Sequence, residues 1–155
     1  MIFLSVGTQL SFDRLVRCVD EFVELNPDIE VYGQIGRGGY VPRNFEFCDF
    51  LGSREYERIY ADANLVIAHA GMGTILSCLA DSKPMALMPR RHALGEHRND
   101  HQVATMNNFS QYGACQFFET VSELERICSN PIMESSLGNS FANSEFIDNL
   151  RKVIG

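Results

Sequence analysis

The sequence predicts an α/β domain built on a mostly parallel β-sheet with helices on both faces. Short apolar runs such as IFLSV and NLVIAHA alternate with segments in which apolar residues recur at helical spacing. Several of these runs end in glycine-containing turns, which is where strands of βαβ units give way to the next element. Strands that alternate with helices pair in parallel and are covered on both sides. We expect the 155 residues to form one domain, 1–155.

Each element is placed by its own pattern. The expected strands, in chain order, are 2–6, 30–36, 45–51, 64–70, 83–89 and 114–119. The expected helices are 11–26, 54–63, 74–82, 100–113, 121–129 and a short helical tail from about 144. The expected helix signals are the N-caps Ser53, Thr74 and either Thr120 or Ser122, and the stops at Asn26 and Gly113. The stretch 130–143, rich in Ser, Asn and Gly, is the linker candidate.

Composition excludes several classes of function. The formal net charge of -7 argues against a nucleic-acid partner and against a polybasic membrane contact. No apolar run reaches the roughly 20 residues that span a bilayer. The start, MIFLSV, lacks the basic region of a signal peptide. The five cysteines are scattered and fit no disulfide framework, so we expect a reduced, cytoplasmic domain.

The stretch HAGMGT lies where the most apolar strand gives way to a helix. We expect Gly71 and Gly73 to adopt positive φ and to let a ligand approach the main chain, with Thr74 capping the helix. Exposed N–H groups and the helix dipole then favour an anion, most often a phosphate. A tight turn without a ligand is the alternative interpretation, and His69 is either a ligand contact or a structural histidine. A leucine replaces the third glycine of a dinucleotide fingerprint, and the lysine of a P-loop is missing.

Two further loops follow strands at the same edge of the predicted sheet, where ligands of such folds bind. The first, VGTQLSFDRL, places Gly7, Thr8 and Gln9 there, and small residues give room for a nucleotide. The second, GRGG, supplies Arg37 on what is most simply a mobile, solvated turn.

The loop PRRHALGEHRNDHQ concentrates hydrogen-bonding side chains directly after a buried strand. They are Arg90, Arg91, His92, Glu96, His97, Arg98, Asn99, Asp100, His101 and Gln102. This density of donors and acceptors suits a polyhydroxylated ligand, whose hydroxyl groups each need a directional partner. A metal site through His97 and His101 and a merely solvated loop are the alternatives. No spaced cysteine or carboxylate set completes the metal site, so we expect no metal and no cofactor.

In combination these motifs resemble a known family. HAGMGTILSCLADSKPMALMPRR, followed by LGEH and NDHQ, resembles the C-terminal, donor-binding half of family 28 glycosyltransferases. The sequence is most similar to the small separate subunit of two-chain bacterial exopolysaccharide glycosyltransferases. It is also similar to the cytosolic subunit of the eukaryotic dolichol-linked N-acetylglucosaminyltransferase. The resemblance runs from VGTQLSFDRLVR through QIGRG to about Gly113, and it implies one Rossmann-like half of a two-domain GT-B enzyme that binds a UDP-sugar.

The resemblance also implies roles for individual residues. The implied substrate-binding set is Gly7, Thr8, His69, Gly71, Gly73, Thr74, Arg90, Glu96, Asn99, Asp100, His101 and Gln102. Within it, the glycine loop would meet the phosphates, and His101 and Gln102 would contact the donor-sugar hydroxyls. Many family members hold the ribose with a carboxylate on the helix after the glycine loop. Ser77 stands at that place here, so a bidentate ribose contact is lost.

The implied reaction is inverting transfer of a hexose or hexuronic acid to a lipid-linked saccharide in exopolysaccharide synthesis. An acceptor hydroxyl attacks the anomeric carbon and UDP leaves, with helix N-terminal amides stabilising the departing charge. His69, Glu96 and His97 are the candidates for the general base. We expect the 155 residues to contain neither a second Rossmann domain nor a membrane anchor. We therefore expect a membrane-attached partner subunit to bind the acceptor and to hold this chain at the inner face of the membrane.

Three other interpretations compete with this one. A non-catalytic nucleotide-sugar-binding or regulatory module would bind UDP yet transfer nothing with any partner. A UDP-sugar epimerase shares the GT-B architecture but needs both of its halves. A plain α/β domain of unknown ligand is favoured only if the two polar loops do not converge in space.

Overall fold

The computed structural model describes residues 1–110 and 115–132. Its strands are β1 (Ile2–Ser5), β2 (Val31–Gln34), β3 (Glu46–Cys48), β4 (Leu65–His69), β5 (Met85–Met88) and β6 (Cys115–Phe117). Its α-helices are α1 (Asp13–Leu25), α2 (Ser53–Asp62), α3 (Met72–Ala80), α4 (His101–Phe109) and α5 (Val121–Ser129), and a 3-10 turn covers His92–Leu94. The predicted stop at Gly113, most of the linker candidate and the predicted C-terminal helix lie outside the described residues.

The strands form one parallel sheet in the order β3-β2-β1-β4-β5-β6. Every pairing is parallel, and β1 lies between β2 and β4, with Ile2 opposite both Val31 and Leu65. The predicted α/β class is therefore confirmed. The chain moves outward from β1 in one direction through β2 and β3, then returns to β4 and moves outward in the other direction.

Side chains of the central strands alternate between two faces, as the pleat requires. On β1, Leu4 packs with α1 and α5, whereas Phe3 packs with Ile59 of α2 on the opposite face. On β4, Ile67 joins the first of these clusters and Val66 joins α3 and α4 on the other side. All four side chains are fully buried. The central strands read as unbroken apolar runs because helices cover both of their faces.

Of the helix caps predicted at α5 and α2, the first is confirmed and the second is wrong. Thr120 accepts a hydrogen bond from the Glu123 main chain while the Glu123 side chain bonds back, which completes a capping box at α5. At α2 the N-cap is Gly52, not Ser53, and no side chain caps it. Ser53 is already the first helical residue, so its side chain cannot occupy the capping position.

Asp20 anchors the long connection between β2 and β3 to α1. Its buried carboxylate accepts hydrogen bonds from the Tyr40 hydroxyl at 2.7 Å and from the main-chain N–H groups of Arg43 and Asn44. Asp13 accepts a further bond from the Tyr40 main chain. A connection that was predicted to begin with a mobile turn is thus fixed at its far end.

Lys83 joins the end of α2 to the start of β5. Its Nζ donates hydrogen bonds to the carbonyl oxygens of Tyr60, Ala61 and Ala63 at 2.7, 3.0 and 2.8 Å. The ammonium also lies over the Tyr60 ring. A cation at a helix C-terminus satisfies carbonyl groups that the helix itself leaves unpaired.

Within residues 1–110 and 115–132, no helix is both long and apolar enough to cross a bilayer.

Candidate functional site

A cleft of about 690 Å³ opens at the carboxyl edge of the sheet, between the loops that follow β1 and β4. These strands are neighbours, yet the helices that follow them pack on opposite faces, so the two loops diverge. A crevice at such a switch in strand order is where open parallel sheets bind their ligands. The two polar loops also meet here, as the family resemblance requires.

The structure brings most of the predicted site residues into this cleft. Those on its wall are Gly7, Thr8, His69, Gly71, Gly73, Thr74, Arg90, His97 and Gln102. Those that do not line it are Glu96, Asn99, Asp100 and His101. Ser77, which stands in place of the family's carboxylate, also lies on the wall.

His69 ends β4 and is packed between two glycines. A Cβ on Gly7 would lie 2.8 Å from Cε1 of the His69 ring, and a Cβ on Gly71 would overlap Nε2. Gly7 also has a φ of +87°, which side chains rarely tolerate. Both positions therefore need glycine so that the imidazole fits against the main chain.

The His69 imidazole is held in its neutral form. Burial, and after it the positive charge of Arg90, lower its pKa to about 4, although the Ser5 main chain acts in the opposite direction. Its Nδ1 makes no hydrogen bond of normal geometry to the described part of the chain. A buried base of such low pKa accepts a proton poorly at pH 7, which favours a structural role over a catalytic one.

Helix α3 presents its N-terminus to the cleft. Its N-cap is Gly71, so no side chain caps the first turn, and the first N–H groups have no partner within the helix. A Cβ on Gly73 would meet no heavy atom within 4 Å, so the space above this residue is open. The helix dipole and these N–H groups favour an anion in that space.

Two predictions about the glycine loop are wrong in their geometry. Gly71 has a φ of -91° and Gly73 lies inside α3, so neither adopts positive φ. Thr74 is the third residue of the helix rather than its cap. The glycines are needed because Gly71 makes room for the His69 ring and Gly73 leaves the helix surface bare, not because the turn is left-handed.

Gln102 and Arg90 are hydrogen-bonded to each other at the wall of the cleft. The Gln102 Oε1 accepts a hydrogen bond from the Arg90 main-chain N–H at 3.0 Å, and both residues are buried. Because this hydrogen bond occupies the amide oxygen, the NH2 group of Gln102 is the part of the side chain that can bind a ligand. Gln102 can therefore donate to a sugar or phosphate oxygen.

Glu96 belongs to an ion-pair network outside the cleft. Its carboxylate accepts from Arg14 at 2.7 and 2.9 Å and from the Arg91 main chain at 2.9 Å. Burial opposes ionisation, but the bonds from Arg14 and Arg91 outweigh it and lower the pKa of Glu96. The network continues to Glu119 and borders a second groove of about 840 Å³. This geometry argues against Glu96 as the general base.

Hydrogen bonds within the loop after the 3-10 turn orient His97. Its Nδ1 lies 3.0 Å from Oδ1 of Asn99, and that oxygen also accepts the main-chain N–H of His101. The Asn99 main-chain N–H also contacts Nδ1, at 3.4 Å. The contact of Nδ1 with Oδ1 is shorter, and an oxygen that accepts from His101 accepts from His97 as well, so the geometry favours the tautomer with the proton on Nδ1. The lone pair of His97 then lies on Nε2, the ring nitrogen not used by the loop.

Asp100 and His101 make hydrogen bonds within the loop and do not line the cleft. Asp100 accepts the His92 main-chain N–H, and the His92 ring contacts the His97 carbonyl oxygen. His101 is exposed at the first position of α4. Among the described residues, no group of three or more His, Cys, Asp or Glu lies close enough to hold a metal ion.

The sequence reasoning missed the wall of the cleft that α2 and the end of β2 supply. Tyr56, Glu57 and Gln34 line the cleft. The sequence does carry a signal for Gln34, because a buried glutamine at the carboxyl end of an apolar strand is unusual. In the structure its Oε1 accepts a hydrogen bond from the Leu51 main-chain N–H. Nothing in the sequence distinguishes Tyr56 and Glu57 from other residues of a surface helix.

Comparison with known proteins identifies related sequences. The glycosyltransferase family 28 C-terminal domain matches residues 1–136. The human UDP-N-acetylglucosamine transferase subunit ALG13 is 31% identical over 146 residues, which is 84% of this chain and 12% of the human protein. The subunit of the same name from Candida albicans is 25% identical over 87 residues, 56% of this chain and 28% of that protein. The chain thus spans less than a third of the length of either relative.

Solved structures show the same fold. The solution structure of ALG13 has a TM-score of 0.61 at 19% identity and covers 85% of this chain and 87% of that one. The glycosyltransferase of kitacinnamycin has a TM-score of 0.60 at 21% identity and covers 98% of this chain and 38% of that one. These neighbours include GT-B glycosyltransferases, of which the present fold forms one Rossmann-like part. The chain belongs to the glycosyltransferase family 28 C-terminal domain family.

Proposed function

We propose that the chain is the donor-binding catalytic subunit of an inverting UDP-sugar glycosyltransferase. The observation that carries this proposal is the uncapped N-terminus of α3, which opens on a cleft walled by Gly7, Gly71 and Gly73. Bare main chain and a helix dipole suit a diphosphate. The NH2 group of Gln102, on the same wall, is available to a sugar oxygen.

The relatives' names support the choice of ligand and the need for a partner. Both are described as a subunit of a UDP-N-acetylglucosamine transferase. We propose that a membrane-attached partner subunit binds a lipid-linked saccharide acceptor. This chain would then work at the inner face of the membrane, transferring a hexose or hexuronic acid in exopolysaccharide synthesis.

Of the three candidate bases, His97 is the best suited. His69 is buried with a pKa of about 4, and Glu96 is paired with Arg14. His97 lines the cleft with Nδ1 held by Asn99, so Nε2 is the acceptor for a proton.

In the proposed step the acceptor hydroxyl oxygen forms a bond to the anomeric carbon of the sugar. The bond from that carbon to the diphosphate oxygen breaks, and UDP leaves with the electron pair. The hydroxyl proton passes to Nε2 of His97, while the N–H groups of the first turn of α3 stabilise the charge on UDP.

The ribose contact is proposed to involve α2. Ser77 and Glu57 line the cleft together, and both also border a smaller pocket between α2 and α3. A carboxylate from α2 beside a hydroxyl from α3 can accept from the ribose hydroxyls.

The first test is calorimetric titration of the purified chain with UDP, UDP-sugars, GDP, ADP and NAD. We expect uridine-selective binding. Preferential binding of ADP or NAD, or no binding of any uridine nucleotide at millimolar concentration, would contradict the proposal. Binding of UDP-sugars without transfer in the presence of the partner subunit would instead support a non-catalytic module.

The role of His97 is tested in the complex with the partner. We expect His97→Gln to lower kcat by roughly a hundredfold or more with little change in the KM for the donor, because a general base contributes at that level. An unchanged kcat would assign the base to the partner.

A further inference from the structure

Arg90 is a buried cation whose terminal nitrogens are fully occupied. The residue is 3% exposed. Its Nη1 donates to the carbonyl oxygens of Ser11 and Glu96, and its Nη2 donates to those of Val6 and Leu10. A terminal guanidinium nitrogen carries two N–H groups, so none remains for a bidentate contact with a ligand.

The positive charge of Arg90 has no carboxylate partner at ion-pair distance within the described residues. The nearest acidic group in its hydrogen-bond network, the carboxylate of Glu96, is already paired with Arg14. An arginine side chain stays protonated in proteins, so the formal charge persists despite burial. Carbonyl dipoles and the Phe12 ring, 4.5 Å away, stabilise it without cancelling it.

The field of this charge reaches the cleft. Arg90 lies two residues after the end of β5, the neighbour of β4, and lines the cleft together with His69 and the N-terminal turn of α3. The positive charge of Arg90 also contributes to the lowered pKa of His69, after burial. A charge behind a low-dielectric wall is screened less than one in solvent.

We propose that Arg90 is a countercharge for the diphosphate that acts through space rather than by contact. The inference rests on the proposed function, since it assumes a nucleoside diphosphate in the cleft. The family resemblance implied a substrate contact for Arg90; because both terminal nitrogens are committed to carbonyl oxygens, we assign it an electrostatic role instead. The same hydrogen bonds fix the loop after β1, so Arg90 also positions Gly7 and Thr8.

Ligands of different charge distinguish the electrostatic role of Arg90 from its role in positioning the loop after β1. Affinities for UDP, UMP and uridine are measured for the wild-type chain, Arg90→Gln and Arg90→Lys. We expect Arg90→Gln to weaken UDP at least tenfold more than uridine, with UMP between them, because one unit charge about 10 Å away in a medium of effective dielectric near 20 already changes affinity by more than tenfold. We expect Arg90→Lys, which keeps the charge, to retain most of the preference for UDP over uridine.

Arg126→Gln on α5 is the matched control, because it removes one positive charge away from the cleft and should leave the preference unchanged. Equal losses for all three ligands in Arg90→Gln would overturn the proposal and leave only loop positioning. Should Arg90→Gln not fold, Arg90→Lys decides: a lost preference for UDP would refute the electrostatic role. Failure of the wild-type chain to bind UDP would refute the proposed function instead.

Discussion

Substitution of Gly73 separates the phosphate-binding role of α3 from its structural role. A Cβ at this position meets no heavy atom within 4 Å, and the residue is helical. Alanine in a helix is favoured over glycine by about 1 kcal/mol. Valine gains less, because a helix restricts its χ1 rotamers. We therefore expect Gly73→Ala and Gly73→Val to leave the free energy of unfolding unchanged or to raise it by up to about 1 kcal/mol.

Ligand affinity should change in the opposite direction. A phosphate oxygen that accepts an N–H of the first turn lies about 2.9 Å from the nitrogen, in the open space above Gly73. An isopropyl group in that space displaces the anion and its charge-assisted hydrogen bonds. We expect Gly73→Val to weaken UDP by at least tenfold, or about 1.4 kcal/mol, and Gly73→Ala to have a smaller effect.

The assay combines denaturant unfolding with calorimetric titration of UDP on the same preparations. Gly52→Ala is the control, because Gly52 is the N-cap of α2, has equally open space at its Cβ and does not line the cleft. It should leave UDP affinity unchanged. If folded Gly73→Val bound UDP as tightly as the wild type, the reasoning that places a phosphate at α3 would be refuted.

Gly71→Ala should lower the free energy of unfolding by about 1–3 kcal/mol in denaturant titration, because its methyl group meets the packed His69 ring; an unchanged value would mean that the ring moves aside freely. The folded-state pKa of His69, about 4, lies below its ordinary 6.5. The unfolded chain therefore binds that proton more tightly. The contribution of His69 to the free energy of unfolding is complete above pH 6.5 and is lost as the pH falls from 6.5 toward 4. We expect a loss of about 2 kcal/mol between pH 7.5 and 5, reduced in His69→Gln; the same loss in that variant would assign the effect to other groups. Lys83→Met should cost about 1–2 kcal/mol by thermal or denaturant unfolding, since it keeps the aliphatic stem but removes three hydrogen bonds to the end of α2. Gln102→Ala should weaken UDP-sugar binding more than UDP binding in calorimetric titration, because it removes the NH2 donors that Gln102 leaves free of Arg90; equal losses for both ligands would move Gln102 away from the sugar.

The sequence predicted the elements of the fold better than their order. Alternating apolar runs and helical spacing record local burial, so each strand and helix in the described residues was expected near its observed place. The order β3-β2-β1-β4-β5-β6 depends on which helix packs on which face. Contacts such as Leu4 with α1 and Phe3 with α2 settle that choice, and they join residues far apart in sequence.

The sequence predicted which loops form the candidate site but not the contacts between their side chains. Parallel strands bring their carboxyl ends to one edge, so Gly7, His69 and Arg90 were expected to converge. The sequence could not show that the His69 ring occupies the space beside Gly71, nor that α3 starts at Met72. Nor could it show which partner each polar side chain would choose: Glu96 pairs with Arg14, which lies 82 residues earlier in the chain.

The Asp20 anchor has a consequence for the cooperativity of the domain. Strand β3 is a three-residue edge strand with no buried residue, so side-chain packing of its own residues stabilises it little. The connection that leads to it is held by a carboxylate on α1. Opening of the edge strand together with this connection must break the bonds to Asp20, so we expect the two to open as one unit that is coupled to α1. The outermost strand on this side of the sheet thereby gains protection against proteolysis and hydrogen exchange from a helix packed beneath the central strands.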